Sequence, residues 1–321
     1  NRTPGIASGA AITIRGVASL ESDKSYEPSI GVVMDGMFLG TSSGVLLDNF
    51  DIERIEVLRG PQGTLFGKNT TGGILNVIRT PVSLNEIGFD ASLTVGDFGR
   101  QDLKTVIQVP IIEDQLGVKI FAANIEHDGH VYNTYLDRHA GGDDKLNYGF
   151  TVLWEPNDQL SIKLHHEIMQ DKSEQGVYVN RNPVGILACT IHQIGFDPNE
   201  GCEIDANDGP DTVESDGSNF SDNEYESTIF TVNYDTENFL YTYIYGMRDM
   251  DEQNMQDFDG AAVRMLRMNY FNDWEQESHE FRVTSQFSEK VQFIAGVYDW
   301  EVDYVQNWDV YDLFYQLSRL G

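Results

Sequence analysis

Basic residues are scarce in this sequence. Its 321 residues include 21 Lys and Arg against 52 Asp and Glu, a formal net charge of -31. A nucleic-acid-binding protein needs a basic surface to neutralise phosphates, so this charge argues against that class of partner. The 40% hydrophobic and 11% aromatic contents argue against disorder, because they supply apolar surface to offset the entropy lost on folding.

Long apolar runs are also absent. No stretch approaches the roughly 18 apolar residues of a transmembrane helix, which excludes a helical membrane protein. A transmembrane β-barrel stays compatible, because its strands are about 10 residues of alternating character and its lumen and loops are polar. The first residues, Asn1 to Pro4, lack the features of a signal peptide, so we expect any such segment to be removed already or to lie upstream.

Enzyme signatures are missing as well. The sequence has no nucleophile triad, no carboxylate pair at a defined spacing and no nucleotide fingerprint. A phosphate loop at Gly63–Lys68 fails because it is one residue short and because Asn69 replaces the Ser or Thr that would hold a metal. We therefore expect neither an enzyme nor a cofactor.

The composition changes near Pro81. Residues 1–81 contain 7 basic and 8 acidic side chains, 12 of the 30 glycines and only 4 aromatic residues. The remaining 240 residues contain 14 basic, 44 acidic and 32 aromatic side chains. We interpret this as a compact glycine-rich domain followed by an acidic, aromatic β region.

The second region has the alternating pattern of β-strands. Leu160, Ile162 and Leu164 share one face of a strand, and Lys163 and Glu167 lie on the other. Nine stretches are candidate strands: 88–96, 101–109, 116–128, 144–155, 160–168, 224–235, 239–245, 273–287 and 291–306.

The connections between these stretches alternate in length. Short ones follow the even-numbered strands at 110–114, 156–158, 236–238 and 288–290, and long ones lie near 129–143, 174–223 and 252–272. Short turns on one rim and long loops on the other are typical of outer-membrane barrels. The alternative, a soluble β-sandwich, has shorter strands and no reason to sort its loops by side. Because bacterial barrels close with an even number of strands, we expect nine strands to be part of a barrel.

The stretch Asp51–Arg79 is the most informative. A short strand at Ile55–Val57 is ended by Gly60-Pro61, and further glycines supply tight turns before a strand resumes at Ile74–Ile78. A turn-rich soluble domain has a similar local pattern of strands and turns. Only the exact sequence of the motif can therefore distinguish such a domain from other β-rich domains.

These residues resemble the plug domain of TonB-dependent outer-membrane receptors. Residues 55–61 match the family's Ile-Glu-Val-Leu-Arg-Gly-Pro core, Ile12–Gly16 resembles its Ile-Arg-Gly motif, and Gly31–Gly40 resembles its strand-turn-strand around Asp-Gly. Downstream, residues 278–285 and 293–298 are similar to paired barrel strands of that family. The resemblance is dense over residues 6–81 and sparse beyond them.

The resemblance implies an all-β-dominated membrane β-barrel of about 22 strands when complete, roughly nine of them here, with an N-terminal α+β plug domain in its lumen. We assign residues 1–84 to the plug and residues 85–321 to the first part of the barrel, and we expect the chain to be truncated at both ends. It further implies a monomer in the bacterial outer membrane, surrounded by lipid and lipopolysaccharide.

The function that the resemblance implies is active uptake of a scarce nutrient, driven by the TonB–ExbB–ExbD complex in the periplasm. A ferric siderophore is the default ligand, and cobalamin or an oligosaccharide is the alternative. The rival from another class is a non-transporting surface or adhesion barrel whose plug never moves. A TonB box, expected upstream of this sequence, would discriminate between them.

Charged plug residues are candidates for contacts with the barrel. The resemblance singles out Arg59 as a salt-bridge residue, and we add Arg15, Arg54 and Glu56 on the plug and Glu280 on the barrel. For all but Arg59, a solvated or turn-stabilising role is an equal alternative.

Ligand contacts are expected from the three long loops and from two plug loops. The plug candidates are Thr41, Ser42, Ser43, Phe66 and Lys68.

The longest loop contains Cys189 and Cys202, separated by twelve residues. In an exported protein this pair favours a disulfide. Asp205, Asp208 and Asp211 are a candidate Ca²⁺ site, although their spacing departs from the EF-hand order. A solvated acidic loop is the alternative to that metal site.

Overall fold

The computed structural model describes residues 12–19, 28–44, 50–63, 70–174, 176–179, 211–217, 219–262, 266–287 and 291–311. The elements it defines in these residues are β-strands, arranged in four sheets. Nowhere in these ranges is there a helix long and apolar enough to cross a lipid bilayer.

The N-terminal residues form two small sheets. The hairpin contains β1 (Ile12–Ile14) and β2 (Val17–Ser19). The second sheet has the order β4-β3-β6-β5, with a parallel β3–β6 pair and antiparallel outer pairs. Its strands are β3 (Ile30–Met34), β4 (Met37–Leu39), β5 (Ile52–Arg59) and β6 (Gly73–Arg79).

The central strand β3 is buried along its whole length, which explains its continuous apolar sequence. Asp35 and Gly36 connect it to β4 with φ angles of 48° and 95°. Two consecutive residues with positive φ make the tight hairpin turn for which Asp-Gly is a preferred sequence. The strand-turn-strand predicted over Gly31–Gly40 is therefore confirmed.

The other strands follow in chain order. They are β7 (Gly88–Val95), β8 (Gln101–Ile112), β9 (Leu116–His127), β10 (Val131–Asn133), β11 (Arg138–Ala140), β12 (Asp143–Asn157), β13 (Leu160–Asp171), β14 (Thr212–Val213), β15 (Phe220–Asp235), β16 (Phe239–Asp257), β17 (Arg267–Ser285) and β18 (Ile294–Tyr311).

Nine of these strands form one antiparallel meander in the order β18-β17-β16-β15-β13-β12-β9-β8-β7. They coincide with the nine stretches predicted from the sequence, so the barrel wall is confirmed. The pairing of Phe281 with Val297 shows that the two downstream family-like segments are indeed neighbours. The predicted boundary at residue 84 falls in the connection between β6 and β7.

Most of the connections that were predicted to be short are short in the structure. Two or three residues join β8 to β9, β12 to β13 and β15 to β16. The predicted loop 129–143 contains the β10–β11 hairpin, which also pairs with β14. The predicted loop 252–272 is wrong in its bounds, because β16 continues to Asp257 and β17 begins at Arg267. Six of the seven residues 251–257 at the end of β16 are polar, so the sequence shows no apolar alternation there.

The two faces of the sheet differ in what they contact. On β16, Thr242, Ile244 and Gly246 point toward the plug, whereas Tyr241, Tyr243 and Tyr245 lie on the outer face. These three tyrosines therefore lie on the face of the sheet that is turned away from the plug.

The last four strands are 16, 19, 19 and 18 residues long, well beyond the about 10 residues needed to cross the apolar core. Their outward side chains change from aromatic near the short turns to acidic toward the long loops. We call two sets of laterally opposed carboxylates the outer acidic rows: Glu226, Asp249, Glu275 and Asp303, and above them Glu224, Asp251 and Asp273.

An apolar cluster joins the plug to the barrel wall. It contains Val32, Met34, Met37 and Leu39 of the plug with Ile229 and Ile244 of the wall. Gly246 leaves room for Met37, since a Cβ at that glycine would lie 2.5 Å from the Met37 sulfur. This cluster seats β3 and β4 against β15 and β16 and fixes the position of the charged groups around it.

Candidate functional site at the plug–barrel interface

Asp35, in the turn after β3, binds Arg79 at the end of β6. The backbone N of Arg79 donates to Asp35 Oδ1 at 3.1 Å, and Nη1 lies 3.4 Å from Oδ2. The two side chains are only 4% and 8% exposed. The parallel β3–β6 pairing brings the ends of these strands together, so the fold of the plug itself places this ion pair.

The same pair reaches the barrel wall at β13. Arg79 Nη2 donates to Glu167 Oε1, and Lys163 Nζ lies 3.7 Å from Asp35 Oδ2. Lys163 and Glu167 share the inward face of β13 because they are four residues apart on a strand. Each plug charge thus faces a barrel charge of opposite sign.

Lys119 of β9 makes a second ionic contact with the plug. Its Nζ lies 2.6 Å from Asp51 Oδ2 and donates to the Thr80 carbonyl at 2.5 Å, and the side chain is 1% exposed. The interface therefore contains three cations and three anions, which we call the charge network: Arg79, Lys119, Lys163, Asp35, Asp51 and Glu167.

His165 lies on the same inward face of β13, between the two barrel charges. Its Nδ1 lies 2.8 Å from Thr151 Oγ1, and its ring stacks on Phe121 with 5.7 Å between centroids and 5° between planes. These two contacts hold the imidazole ring of His165 in one orientation next to Glu167.

Electrostatics keeps the plug members of the network ionised. Burial raises the pKa of the Asp35 carboxyl, but the charges of Arg79 and Lys163 outweigh this effect and hold the pKa below its ordinary 3.8. Burial lowers the pKa of Arg79, and the charges of Glu167 and Asp35 more than compensate, so that its pKa is raised. Removing one partner would leave a buried charge uncompensated, which is costly.

A second set of contacts holds the plug segment that follows β4. Gln276 Nε2 donates to the Phe38 carbonyl at 2.7 Å, and Gly40 N donates to Gln276 Oε1 at 2.9 Å. The Arg248 guanidinium donates to the carbonyls of Thr41 and Ser43. We call these contacts of Gln276 and Arg248 the carbonyl clasp, because both side chains bind the backbone of the plug.

Two glycines make the clasp sterically possible. A Cβ at Gly40 would lie 2.9 Å from both Trp274 Cζ2 and Trp300 Cζ2. Gly44 has φ +65°, and a Cβ there would lie 2.8 Å from Arg248 Nη2. Gly40, the last residue of the predicted strand-turn-strand Gly31–Gly40, is therefore required because the backbone here lies so close to the barrel wall that a side chain would collide with it.

The predicted ligand residues Thr41, Ser42 and Ser43 lie under this clasp. They are 8%, 6% and 0% exposed, so their side chains do not line an open cavity. Their backbone, rather than their hydroxyl groups, makes the contacts with Arg248. In this arrangement they belong to the plug–barrel seal.

The five predicted electrostatic residues do not meet across the interface. Arg54 pairs with Glu56 at 2.8 Å on the exposed face of β5. Glu280 pairs with Arg282 at 3.1 Å on its own strand. Arg15 lies in the β1–β2 turn and Arg59 at the exposed end of β5, and no contact in the described ranges joins either to the wall. Arg54 and Glu280 thus each pair with a residue two positions away on the same strand, and a plug–barrel role for Arg15 and Arg59 stays a prediction.

Several predicted residues lie outside the described ranges: Phe66, Lys68, Cys189, Cys202, Asp205 and Asp208. Asp211 is described, and its carbonyl accepts a hydrogen bond from Tyr132 N at 2.8 Å. The Ca²⁺ and disulfide hypotheses therefore stay predictions.

The sequence analysis missed the residues that hold the plug in place. Lys119 stands out in retrospect, since it interrupts the apolar stretch 116–123 on the face that points inward. Arg248 and Gln276 carry no comparable signal, because their partners are backbone carbonyls more than 200 residues away.

A cavity of about 440 Å³ lies at the long-loop end of the wall, beside the β10–β11 hairpin. Its charged lining is largely paired within itself. Arg138 lies 2.5 Å from Glu174, and His127 lies 2.8 Å from Asp143. These ion pairs connect the segments that line the cavity to one another, so we assign the cavity a structural role.

Comparison with known proteins gives a consistent assignment. Residues 1–74 match the family model described as TonB-dependent Receptor Plug Domain. The pesticin receptor of Yersinia pestis is 38% identical over 69 residues, covering 22% of this chain and 10% of the relative. The ferrichrome outer membrane transporter/phage receptor of Escherichia coli is 31% identical over 196 residues, covering 55% of this chain and 23% of the relative.

The fold extends the likeness over the barrel. The crystal structure of the ferric yersiniabactin uptake receptor FyuA from Yersinia pestis superposes with a TM-score of 0.78 at 19% identity, over 96% of this chain and 44% of that one. The chain thus spans less than half of the solved receptor and a smaller share of the curated relatives.

Proposed function

We propose, from the premise that this chain belongs to the TonB-dependent receptors, that the complete protein imports a ferric siderophore across the bacterial outer membrane. The plug-domain match and the nine-stranded wall carry the premise. Relatives named for ferric yersiniabactin uptake and for ferrichrome transport support the choice of ligand class.

The observation that favours transport is the composition of the plug–barrel interface. The charge network and the carbonyl clasp hold the plug in the lumen through polar contacts at its two ends. When such contacts separate, water can solvate the freed ions and carbonyls, which offsets part of the lost attraction. A purely apolar seal has no such compensation. The interface therefore suits a plug that is held firmly and still withdrawn.

In this proposal residues 1–84 are the part that moves and residues 85–321 belong to the wall that stays. The periplasmic TonB–ExbB–ExbD complex supplies the force, and the barrel is a monomer embedded in outer-membrane lipid and lipopolysaccharide. The ligand binds from the side of the long loops, and plug movement opens its path.

A cysteine tether between plug and wall tests whether the plug must move. A Cβ at Gly246 would lie 2.6 Å from Met37 Cγ, which suits a disulfide between Met37→Cys and Gly246→Cys in the complete receptor. We expect the oxidised double variant to bind the siderophore and to fail in uptake, and we expect reduction to restore uptake. The two single variants, treated identically, are the controls. Uptake by the fully oxidised protein would contradict the proposal.

Growth of a deletion strain on single nutrient sources tests the ligand class. We expect the deletion to abolish growth on at least one ferric siderophore, and the complete gene to restore it. Loss of growth on cobalamin or on an oligosaccharide instead would assign the receptor to that nutrient. Unchanged growth on every source would favour the non-transporting surface barrel.

A further inference from the structure

The barrel acid of the charge network and the two side chains of the carbonyl clasp lie on one row across the wall. Glu167 of β13 pairs with Ser227 of β15, which in turn pairs with Arg248 of β16. Gln276 of β17 is the next residue along the row. Residues paired on neighbouring antiparallel strands point to the same face of a sheet, and these four are at most 9% exposed. Only Ser227 therefore separates the acid of the network from the arginine of the clasp.

A cavity of about 10 Å³ lies between this row and the plug. A single buried water needs about 10–15 Å³ of such space, so the cavity has room for one water and for no larger molecule. Its lining is polar on the side of the wall and apolar on the side of the plug. It includes Asn147, Glu167, Ser227 and Arg248 of the wall and Met34 and Gly44 of the plug.

Asn147 contributes a buried polar atom to this lining. Its side chain points inward from β12, because the residues paired with it, Met169 and Ala123, are 7% and 4% exposed on the inward face. Among the described residues, no donor forms a hydrogen bond with the buried Asn147 Oδ1. Buried polar atoms in proteins are nearly always hydrogen-bonded. A molecule in the cavity that donates a hydrogen bond would satisfy this oxygen.

The charged groups beside the cavity can complete the hydrogen bonds of a water. Glu167 Oε1 accepts from Arg79, and Oε2 lies 3.7 Å from His165 Nε2, which is longer than a hydrogen bond. Arg248 donates to the plug carbonyls through Nη1 and Nη2, and each of these nitrogens carries a second N–H. A water could thus donate to Asn147 and Glu167 and accept from Arg248. Three hydrogen bonds are typical of a buried water.

A cation is the other occupant of this size, and the surroundings disfavour it. The described residues contain no group of three or more His, Cys, Asp or Glu side chains that could hold a metal ion. The guanidinium of Arg248 also lines the cavity and would repel a cation. A neutral molecule that both donates and accepts hydrogen bonds fits the lining better.

We propose that the cavity binds one water molecule, which donates to Asn147 Oδ1 and to the Glu167 carboxylate and accepts from the Arg248 guanidinium. This site goes beyond the proposed function, because it concerns how the two sets of plug contacts are joined within the wall. The charge of Glu167 acts on Arg248, as does that of Glu252. The water adds a directional contact to this attraction and links the charge network to the carbonyl clasp.

A crystal structure of the complete receptor, with its ordered waters, tests the site directly. We expect one water peak within about 3.2 Å of Asn147 Oδ1, of a Glu167 carboxylate oxygen and of an Arg248 nitrogen. A cavity without such a peak would overturn the proposal, and so would a peak that contacts neither Glu167 nor Arg248.

Asn147→Leu tests whether the water supports the clasp. The substitution removes the acceptor and fills the cavity with a larger apolar side chain. We expect hydrogen exchange in the peptide that contains residues 40–44 to become about threefold to tenfold faster, as for the loss of about one hydrogen bond. Asn147→Ser keeps an acceptor and leaves room for water, so it should retain most of the native protection.

Asn124→Leu is the matched control on the neighbouring strand β9. Asn124 bonds to Glu126 on the exposed side of the sheet, so we expect the exchange of residues 40–44 to stay native in this variant. Native exchange in Asn147→Leu, or equal acceleration in the two leucine variants, would contradict a link between the water and the clasp.

Discussion

Arg79 of the plug and Glu167 of the barrel wall form an ion pair whose side chains are 8% and 11% exposed. The pair links the last strand of one sheet to the middle of another, and Asp35 completes it from the plug side. Because both charged side chains are buried, removing one of them should cost far more stability than removing one member of a surface pair with the same geometry.

Glu167→Gln should loosen the plug. The substitution keeps the size of the side chain and removes the carboxylate, so the buried Arg79 loses a counter-charge, and we expect a cost of about 3–5 kcal/mol in the free energy of unfolding. Chemical denaturation of the complete receptor, with protease cleavage of the released plug as the readout, measures it. The matched control is Glu280→Gln, whose partner Arg282 is partly exposed on the same strand, and we expect about 0–1 kcal/mol there. Equal costs would contradict the charge network.

Gly44→Ala should release the carbonyl clasp. The new methyl group meets Arg248 and Tyr225 at 2.8 and 2.9 Å, in addition to the strain of a positive φ. Gly60→Ala is the control, since Gly60 has φ +89° and no atom within 4 Å of the new Cβ. Strain alone costs about 1 kcal/mol, so the difference between the variants in plug protease sensitivity reports the clasp. Identical behaviour would show that the clasp does not restrain this segment.

The connection between β16 and β17 should be stabilised by acid. Burial, assisted by the neighbouring Asp257, raises the pKa of Asp259 to about 7. A carboxyl whose folded pKa exceeds its unfolded value of about 3.8 stabilises the fold when protonated, and that stability is lost as pH rises through the folded pKa. Asp259 also accepts hydrogen bonds from the amides of Ala261 and Leu266.

The measurement is hydrogen exchange of the Leu266 amide at pH 5 and pH 8, corrected for the intrinsic rates. We expect protection to fall by at least about tenfold at pH 8, since one pKa unit corresponds to a factor of ten. Asp259→Asn should remove this pH dependence. Protection that rises with pH in the native protein would refute the assignment to Asp259.

Asp249→Asn should stabilise the barrel. Asp249 lies directly between Glu226 and Glu275 in the first outer acidic row, and like charges opposed across strands destabilise a sheet. We expect a gain of about 0.2–1 kcal/mol at low salt that shrinks as salt screens the row. Asp309→Asn, opposite the neutral Asn269, should give no such gain. A salt-independent effect would point away from charge repulsion.

The proposed function places the protein in an oxidising compartment, so we expect Cys189 and Cys202 to form a disulfide. Mass mapping of the protein purified without reductant, digested with and without reduction, should show one linked peptide pair. Two alkylated thiols in the unreduced digest would refute this prediction.

The strands and turns could be predicted from the sequence where the side-chain pattern that specifies them lies within a few consecutive residues. The alternation in 160–168 and 239–245 located β13 and β16, and the Asp-Gly turn located the β3–β4 hairpin. The same reading ended β16 too early, because residues 251–257 at its end are polar on both faces except for Met255. Hydrophobic periodicity disappears once neither face is apolar.

The plug–barrel contacts resisted prediction for a different reason. Arg54 and Glu280 looked equivalent to Arg79 and Glu167 as charged residues in strands, yet each found a partner two residues away. Which charge crosses the interface depends on the parallel β3–β6 pairing, which brings Asp35 beside Arg79 and turns both toward β13. That pairing is a property of the folded plug and is not encoded in any short motif.

The contacts of the plug also differ in how much chain they enclose. Asp35 and Thr80 find their partners 44 and 39 residues away, and Arg79 reaches Glu167 across 88 residues, whereas the clasp spans 205 to 238 residues. Closing the longer loops costs about 1 kcal/mol more in entropy. The ionic contacts of the plug with β9 and β13 therefore close shorter loops, at a lower cost in chain entropy, than the contacts of the segment after β4 with β16 and β17.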